Sequence, residues 1–185
     1  LANTATGSGA DPKGTVASDK SGGGAGENTG VPSTLTAPVY SPEMTTEKVF
    51  DQASIVTADD GTFTVDVTVT LENTGDVDLN NLQILDKLDD PTNMGTYFVS
   101  VESAPVVTVV TDAAGTAIVS PSAASPAFDG SANANLFNGT TGTLGVGDKI
   151  SAKFKIKVDP NATGTGALAN TATGSGADPK GTVAS

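Results

Sequence analysis

The chain is rich in hydroxyl groups, but it lacks the partners that usually make them reactive. It contains no histidine and no cysteine. That removes the commonest general base, the commonest transition-metal ligand and any thiolate site or disulfide. Serine and threonine are plentiful, yet no imidazole is present to activate them, and nothing in the sequence places a Ser–Lys pair. Catalysis on an external substrate is therefore not expected. Carboxylates are numerous and sit mainly at turns, where Asp is favoured for backbone reasons. Calcium is the cation that suits them. Asp76, Asp78 and Asn80 space oxygens at alternate positions, but an EF-hand would next require Gly and later Glu, and Asn81 and Lys87 stand there. The remaining weak calcium candidates are irregular groupings of Asp59, Asp60, Asp76, Asp78, Asp89 and Asp90, with Asp129 as a further carboxylate; ordinary acidic turns are the simpler reading. Asn138-Gly-Thr and Asn161-Ala-Thr match the N-glycosylation triplet, which also arises by chance in a Thr-rich chain.

The elements that must carry these groups read as strands. Phe63 to Leu71 alternates strictly, with Phe63, Val65, Val67, Val69 and Leu71 on one face and Thr or Asp on the other. Ile150 to Val158 alternates likewise, with Lys153, Lys155 and Lys157 on its outer face. Period two with β-branched residues predicts half-buried antiparallel strands. Further strands are expected at Lys48–Val56, Leu79–Leu85, Tyr97–Glu102, Val106–Thr111, Thr116–Val119 and Leu168–Thr173. Turn signals separate them, among them Asp59-Asp60-Gly61, Asn73-Thr74-Gly75-Asp76 and Asp159-Pro160-Asn161. No segment has helical periodicity. The expected fold is an all-β, immunoglobulin-like antiparallel sandwich, with barrel closure as the alternative. Residues 121–141, rich in Ser, Ala and Asn, read as a long surface excursion.

Leu1 to Ser18 is identical to Leu168 to Ser185. A perfect duplication a full domain apart points to one unit of a tandem array; an end duplicated by design, to supply a strand, would give the same pattern. On the array reading, residues 1–18 are the closing strand and exit of a preceding repeat, 19–39 a Gly/Pro-rich linker, 40–179 the sandwich, and 180–185 the start of the next linker. Within the duplicated segment, Leu-Ala-Asn-Thr-Ala reads as the closing strand and Gly-Ser-Gly-Ala-Asp-Pro as the exit. Val31–Tyr40 is open to a second reading, as an edge strand added to a neighbouring sheet.

The stretch Phe63 to Leu88 carries a Val/Thr strand, then Asn73-Thr74-Gly75-Asp76, then an apolar strand ending in Asp86-Lys87-Leu88. With Gly142 to Ile150 and Leu168 to Ala172, it resembles a conserved immunoglobulin-like repeat domain of bacterial and archaeal cell-surface proteins. The resemblance covers roughly residues 47–174, departs from the pattern over 92–141, and implies a surface, secreted or filament location without an activity.

Lys48 lies at the first clear strand, Asp86 at the end of a middle strand, and Asn170 in the expected last strand. That order resembles immunoglobulin-like surface domains that form a Lys–Asn isopeptide bond with a carboxylic acid as proton shuttle. Burial lowers a lysine pKa and raises a carboxyl pKa, so such a pair can face each other uncharged. A neutral amine can then attack the carboxamide while the acid polarises its oxygen. If strands are donated between units, Asn3 would stand in for Asn170. The simpler alternative is an exposed edge lysine and a turn asparagine.

The net charge of −12, with lysine the only basic residue, argues against nucleic-acid and anionic-lipid partners. No apolar run is long enough to insert in a membrane as a helix. The expected role is a structural stalk or fibre module outside the cell, on a cell surface or surface filament, whose partners are neighbouring copies. The alternatives are an adhesin using residues 121–141 on a glycan or protein, and a filament subunit joined by strand donation.

Overall fold

The computed structural model describes the chain except residues 1, 4, 21–32, 110–122, 140, 182 and 185. It divides into two units, Leu1–Val39 and Tyr40–Ser185. Thr116–Val119, expected as a strand, lies outside the described residues.

The first unit holds four short strands: β1 (Ala2–Asn3), β2 (Thr6–Ala10), β3 (Val16–Lys20) and β4 (Ser33–Thr34). β1 pairs with β4, and β2 with β3, both antiparallel. The β2–β3 turn is built by Asp11. Its Oδ1 accepts from the backbone N–H of Lys13 and Thr15, and Gly14 N–H donates to Asp11 O. Gly14 takes φ +83°, open to glycine and strained for other residues. The segment expected to exit into a linker is therefore a hairpin. Its second strand runs into the stretch assigned to the linker.

The second unit is a sandwich of two four-stranded antiparallel sheets. Its strands are β5 (Met44–Thr57), β6 (Phe63–Asn73), β7 (Leu79–Leu85), β8 (Phe98–Val109), β9 (Thr141–Leu144), β10 (Lys149–Val158), β11 (Thr173–Ala177) and β12 (Val183–Ala184). One sheet has the order β5-β6-β10-β8, the other β12-β11-β7-β9. The alternating faces of β6 and β10 pair residue for residue from Phe63↔Val158 to Glu72↔Lys149. That register puts Val67, Val69, Leu71, Ile150, Ala152, Phe154 and Ile156 into the core against Leu79, Leu82 and Ile84 of β7. It leaves the lysine row outside, where Lys153 and Lys155 both reach Asp66. Such cross-strand pairs at the surface contribute little each and keep the face solvated.

Three expectations are corrected. Residues 98–102 and 106–109, expected in two strands, belong to one, β8, whose pairing with β10 shifts register near Lys155; Tyr97 ends a short 3-10 turn, and 110–111 lie outside the described residues. The closing strand is Thr173–Ala177; Leu168 to Ala172 precedes it outside any strand, and the expected linker start contributes β12. The described part of 121–141 is no surface excursion: Phe128, Leu136 and Phe137 are buried in the core. This segment lies along β7 and the residues after it. Leu136 N–H donates to Ile84 O, Asp86 N–H to Ala134 O, and Leu88 N–H to Gly130 O. Its three large apolar side chains supply the reason, since burying each is worth roughly 1.5–3 kcal/mol.

Candidate functional site

Each of three strands or strand approaches carries a polar residue of the site at a position its alternation directs inward. On β5 the inward phase is Met44, Thr46, Lys48 and Phe50. Past β7 it is Leu82, Ile84, Asp86 and Leu88, all fully buried. On the closing segment it is Asn170, Ala172, Gly174 and Gly176. Period-two geometry thus places an amine, a carboxyl and a carboxamide where apolar side chains would otherwise stand.

The three groups meet. Lys48 Nζ lies 2.5 Å from Asp86 Oδ2, and Asn170 Nδ2 donates to Asp86 Oδ1 at 2.8 Å. The side chains of Lys48 and Asp86 are only 6% and 0% exposed. Rings close over the amine: Nζ stands 5.5 Å from the centroid of Phe50 and 5.9 Å from that of Phe154. Phe154 is held in turn by an edge-on contact with Phe128 at 5.0 Å. Burial pulls the Lys48 pKa below its usual range, against the charge and hydrogen bond of Asp86, which push it up. The Asn170 Oδ1 oxygen is buried and has no hydrogen-bond partner. An unsatisfied buried acceptor costs about 1–3 kcal/mol.

The backbone fixes the approach of the closing segment. Gly174 N–H donates to Thr46 Oγ1 at 3.1 Å, tying β11 to β5 across the two sheets. A Cβ on Gly174 would collide with Leu71 Cδ2 and Thr46 Oγ1, and one on Gly176 would press on Leu82, Met44 and Leu79. A side chain at Gly174 would have to displace Leu71 and Thr46 for β11 to lie this close. Ahead of Asn170, the backbone N–H of Ala167 donates to Asn93 O; beyond it, Thr171 N–H donates to Asn93 Oδ1. Asn170 is thereby held from both sides. Neither Asn93 nor the two glycines is among the residues singled out from sequence. The inward phase of Asp86 between Ile84 and Leu88 is the signal that finds the acid.

The other candidates do not converge. Asp60 accepts from Thr62 N–H and Asp90 from Thr92 N–H, each within its own turn, while Asp76 accepts from Ser41 N–H ahead of β5. Asp89 pairs with Lys87 and the Ser131 hydroxyl, and Asp129 accepts from Ser131 and Asn133 N–H. Asp59 and Asp78 are exposed. Among the described residues no three carboxylates come close enough to hold a metal ion. Asn138 and Asn161 both lie on exposed turns. Asn3 belongs to the first unit and its side chain lies outside the description; the asparagine on Asp86 is Asn170. No helix among the described residues is long and apolar enough to cross a membrane.

No family model, curated protein or solved structure matches this chain.

Proposed function

We propose that this chain is a non-catalytic structural module of an extracellular surface protein or filament, and that its sandwich locks itself with a Lys48–Asn170 isopeptide bond. The observation that carries the reading is the shared carboxylate: the amine and the carboxamide both sit on buried Asp86.

The chemistry follows from that arrangement. A proton passes from Lys48 Nζ to Asp86 Oδ2 along their short contact, which leaves an uncharged pair, as a site closed by phenyl rings favours. A half-turn of the Asn170 carboxamide gives its unpartnered oxygen the acid's proton. The Lys48 lone pair then attacks Asn170 Cγ. The C–N bond to Nζ forms, Nζ passes a proton by way of Asp86 to Nδ2, and the Cγ–Nδ2 bond breaks to release ammonia. The proton on the Asn170 oxygen returns by way of Asp86 to the departing ammonia, which leaves as ammonium; Asp86 ends as the carboxylate it began as, and no co-reactant is consumed.

Other features support the structural role. Two packed four-stranded antiparallel sheets suit such a module. The duplicated segment fits a tandem array whose neighbours are copies of itself. The acidic, lysine-only surface fits a soluble stalk. Intact-mass measurement tests the proposal. The wild-type chain is expected one ammonia lighter than its sequence mass, and Lys48→Ala, Asp86→Ala and Asn170→Ala chains are expected at full mass. A wild-type chain at full mass sinks it.

A further inference from the structure

The segment that closes the sandwich is carried twice, and its hairpin part adopts the same register in both copies. In the second copy Gly176 pairs with Ala184 and Ala177 with Val183. In the first, Gly9 pairs with Ala17 and Ala10 with Val16, the same register. The turns agree as well. Asp178 Oδ1 accepts from Lys180 N–H as Asp11 Oδ1 accepts from Lys13 N–H, and Gly181 takes φ +84° where Gly14 takes +83°. The hairpin is thus encoded in the segment itself and forms with or without a sheet behind it. The copies differ in burial and in the segment ahead of the hairpin, where Ala2–Asn3 pairs with Ser33–Thr34 and residues 169–170 lie outside any strand. Gly174 and Gly176 are buried against Leu71, Met44 and Leu82, whereas Thr6 to Ala10 is exposed throughout.

We infer that residues 1–20 are a coupling hairpin for a second copy of this chain. Seated in that copy's closing slot, Gly7 and Gly9 take the places of Gly174 and Gly176, where a side chain would have to displace its neighbours. Asn3 takes the place of Asn170 on Asp86. The inference rests on the Lys48 chemistry proposed above. Lys48 Nζ of the acceptor bonds to Asn3 Cγ of the donor, the Cγ–Nδ2 bond breaks, and ammonia leaves after receiving a proton from the amine by way of Asp86. The contact is head-to-tail, so repeating it extends a chain of copies rather than closing a dimer. The acceptor's own second copy competes at the advantage of a tethered segment, an effective concentration of order millimolar. Coupling therefore shows where that copy cannot seat.

The test uses the full chain carrying Asn170→Ala, Gly174→Val and Gly176→Val, which disables the second copy and leaves the first intact. We expect denaturant-resistant dimers and longer species that increase with protein concentration, one ammonia lost per link, and none when Asn3→Ala is added. A variant that stays monomeric at full mass overturns the inference. So does a monomer that has lost ammonia through its own Asn3. A variant too unstable to fold alone is met by adding a free peptide of the Leu1–Lys20 sequence to the quadruple variant. A covalent one-to-one adduct supports the inference, and its absence overturns it. The wild-type chain separates the two failures. If it has lost ammonia and the variants do not couple, only the coupling falls; if it keeps full mass, the Lys48 reading falls first and the coupling with it.

Discussion

Lys48 and Asn170 lie on opposite oxygens of one carboxylate, that of Asp86, inside a shell of phenylalanine. Lys48 stands on the first strand of the sandwich and Asn170 just ahead of β11; the lysine side chain is nearly buried, and Asn170 is half-buried with its Oδ1 shielded. An exposed edge lysine and a turn asparagine would need no such convergence.

Removing the acid should both stop the reaction and leave a buried ammonium unpaired. Asp86→Ala is expected to retain full mass and to lose about 3–5 kcal/mol of stability relative to the unbonded wild-type fold. Intact mass and denaturant unfolding report the two effects separately. Ammonia loss in this variant would mean that Asp86 is not the proton carrier.

Asn170→Ala should keep the fold and lose only the link. A bond between Lys48 and Asn170 closes most of the second unit into one loop. By the loop-entropy argument used for disulfides, a link of that span adds roughly 5 kcal/mol. A wild-type melting point no higher than that of Asn170→Ala would show that the link contributes nothing.

The unbonded chain should gain stability as pH rises. In Asn170→Ala, Lys48 remains an amine whose pKa is lowered by burial from its ordinary 10.5. Between the lowered folded-state value and the ordinary one, the unfolded chain binds more protons than the folded chain. Stability therefore increases with pH across that window and levels off above it. Urea midpoints measured against a Lys48→Met/Asn170→Ala chain isolate the effect, because the second chain lacks the rise. A difference that falls with pH contradicts the assignment.

The slot for the closing strand should reject side chains. Gly174→Val pushes a branched side chain into Leu71 and Thr46, and overpacking of this kind costs about 1–3 kcal/mol or more. Bond formation should slow in step, because Asn170 is carried on the same segment. Mass measured at intervals after refolding follows it; an unchanged rate would show that β11 does not position Asn170.

Much of the sandwich was legible from period two. β6 and β10 alternate β-branched or aliphatic residues with polar ones, and the ranges of β6, β7 and β10 agree with those expected to within two residues. The closing strand was not legible for a physical reason. Thr-Gly-Ser-Gly-Ala has almost no intrinsic strand preference; it pairs as a hairpin in both copies through the Asp11 and Asp178 turns, and only in the second is it seated in a sheet, beside β7. Leu-Ala-Asn-Thr-Ala looks more strand-like and lies outside the sheet. Phe128, Leu136 and Phe137 were hidden among Ser, Ala and Asn, where composition outweighs three buried side chains. For the site, strand order brought Lys48, Asp86 and Asn170 to notice. What brings them into contact is a shared inward phase across two sheets, which spacing along the chain does not reveal.

The acid and the amine are on the chain well before the carboxamide. β5 and the end of β7 come early, and Asn170 arrives only with the last strands. Synthesis proceeds from the N-terminus, so the emerging chain holds Lys48 and Asp86 without an electrophile for most of its length. Until Phe154 of β10 and the strands after it dock, Lys48 is also deprived of the burial that lowers its pKa, and it stays a protonated, inert ammonium. Ammonia release would then be a time stamp: a molecule that has lost it is one whose final strand was made and correctly seated.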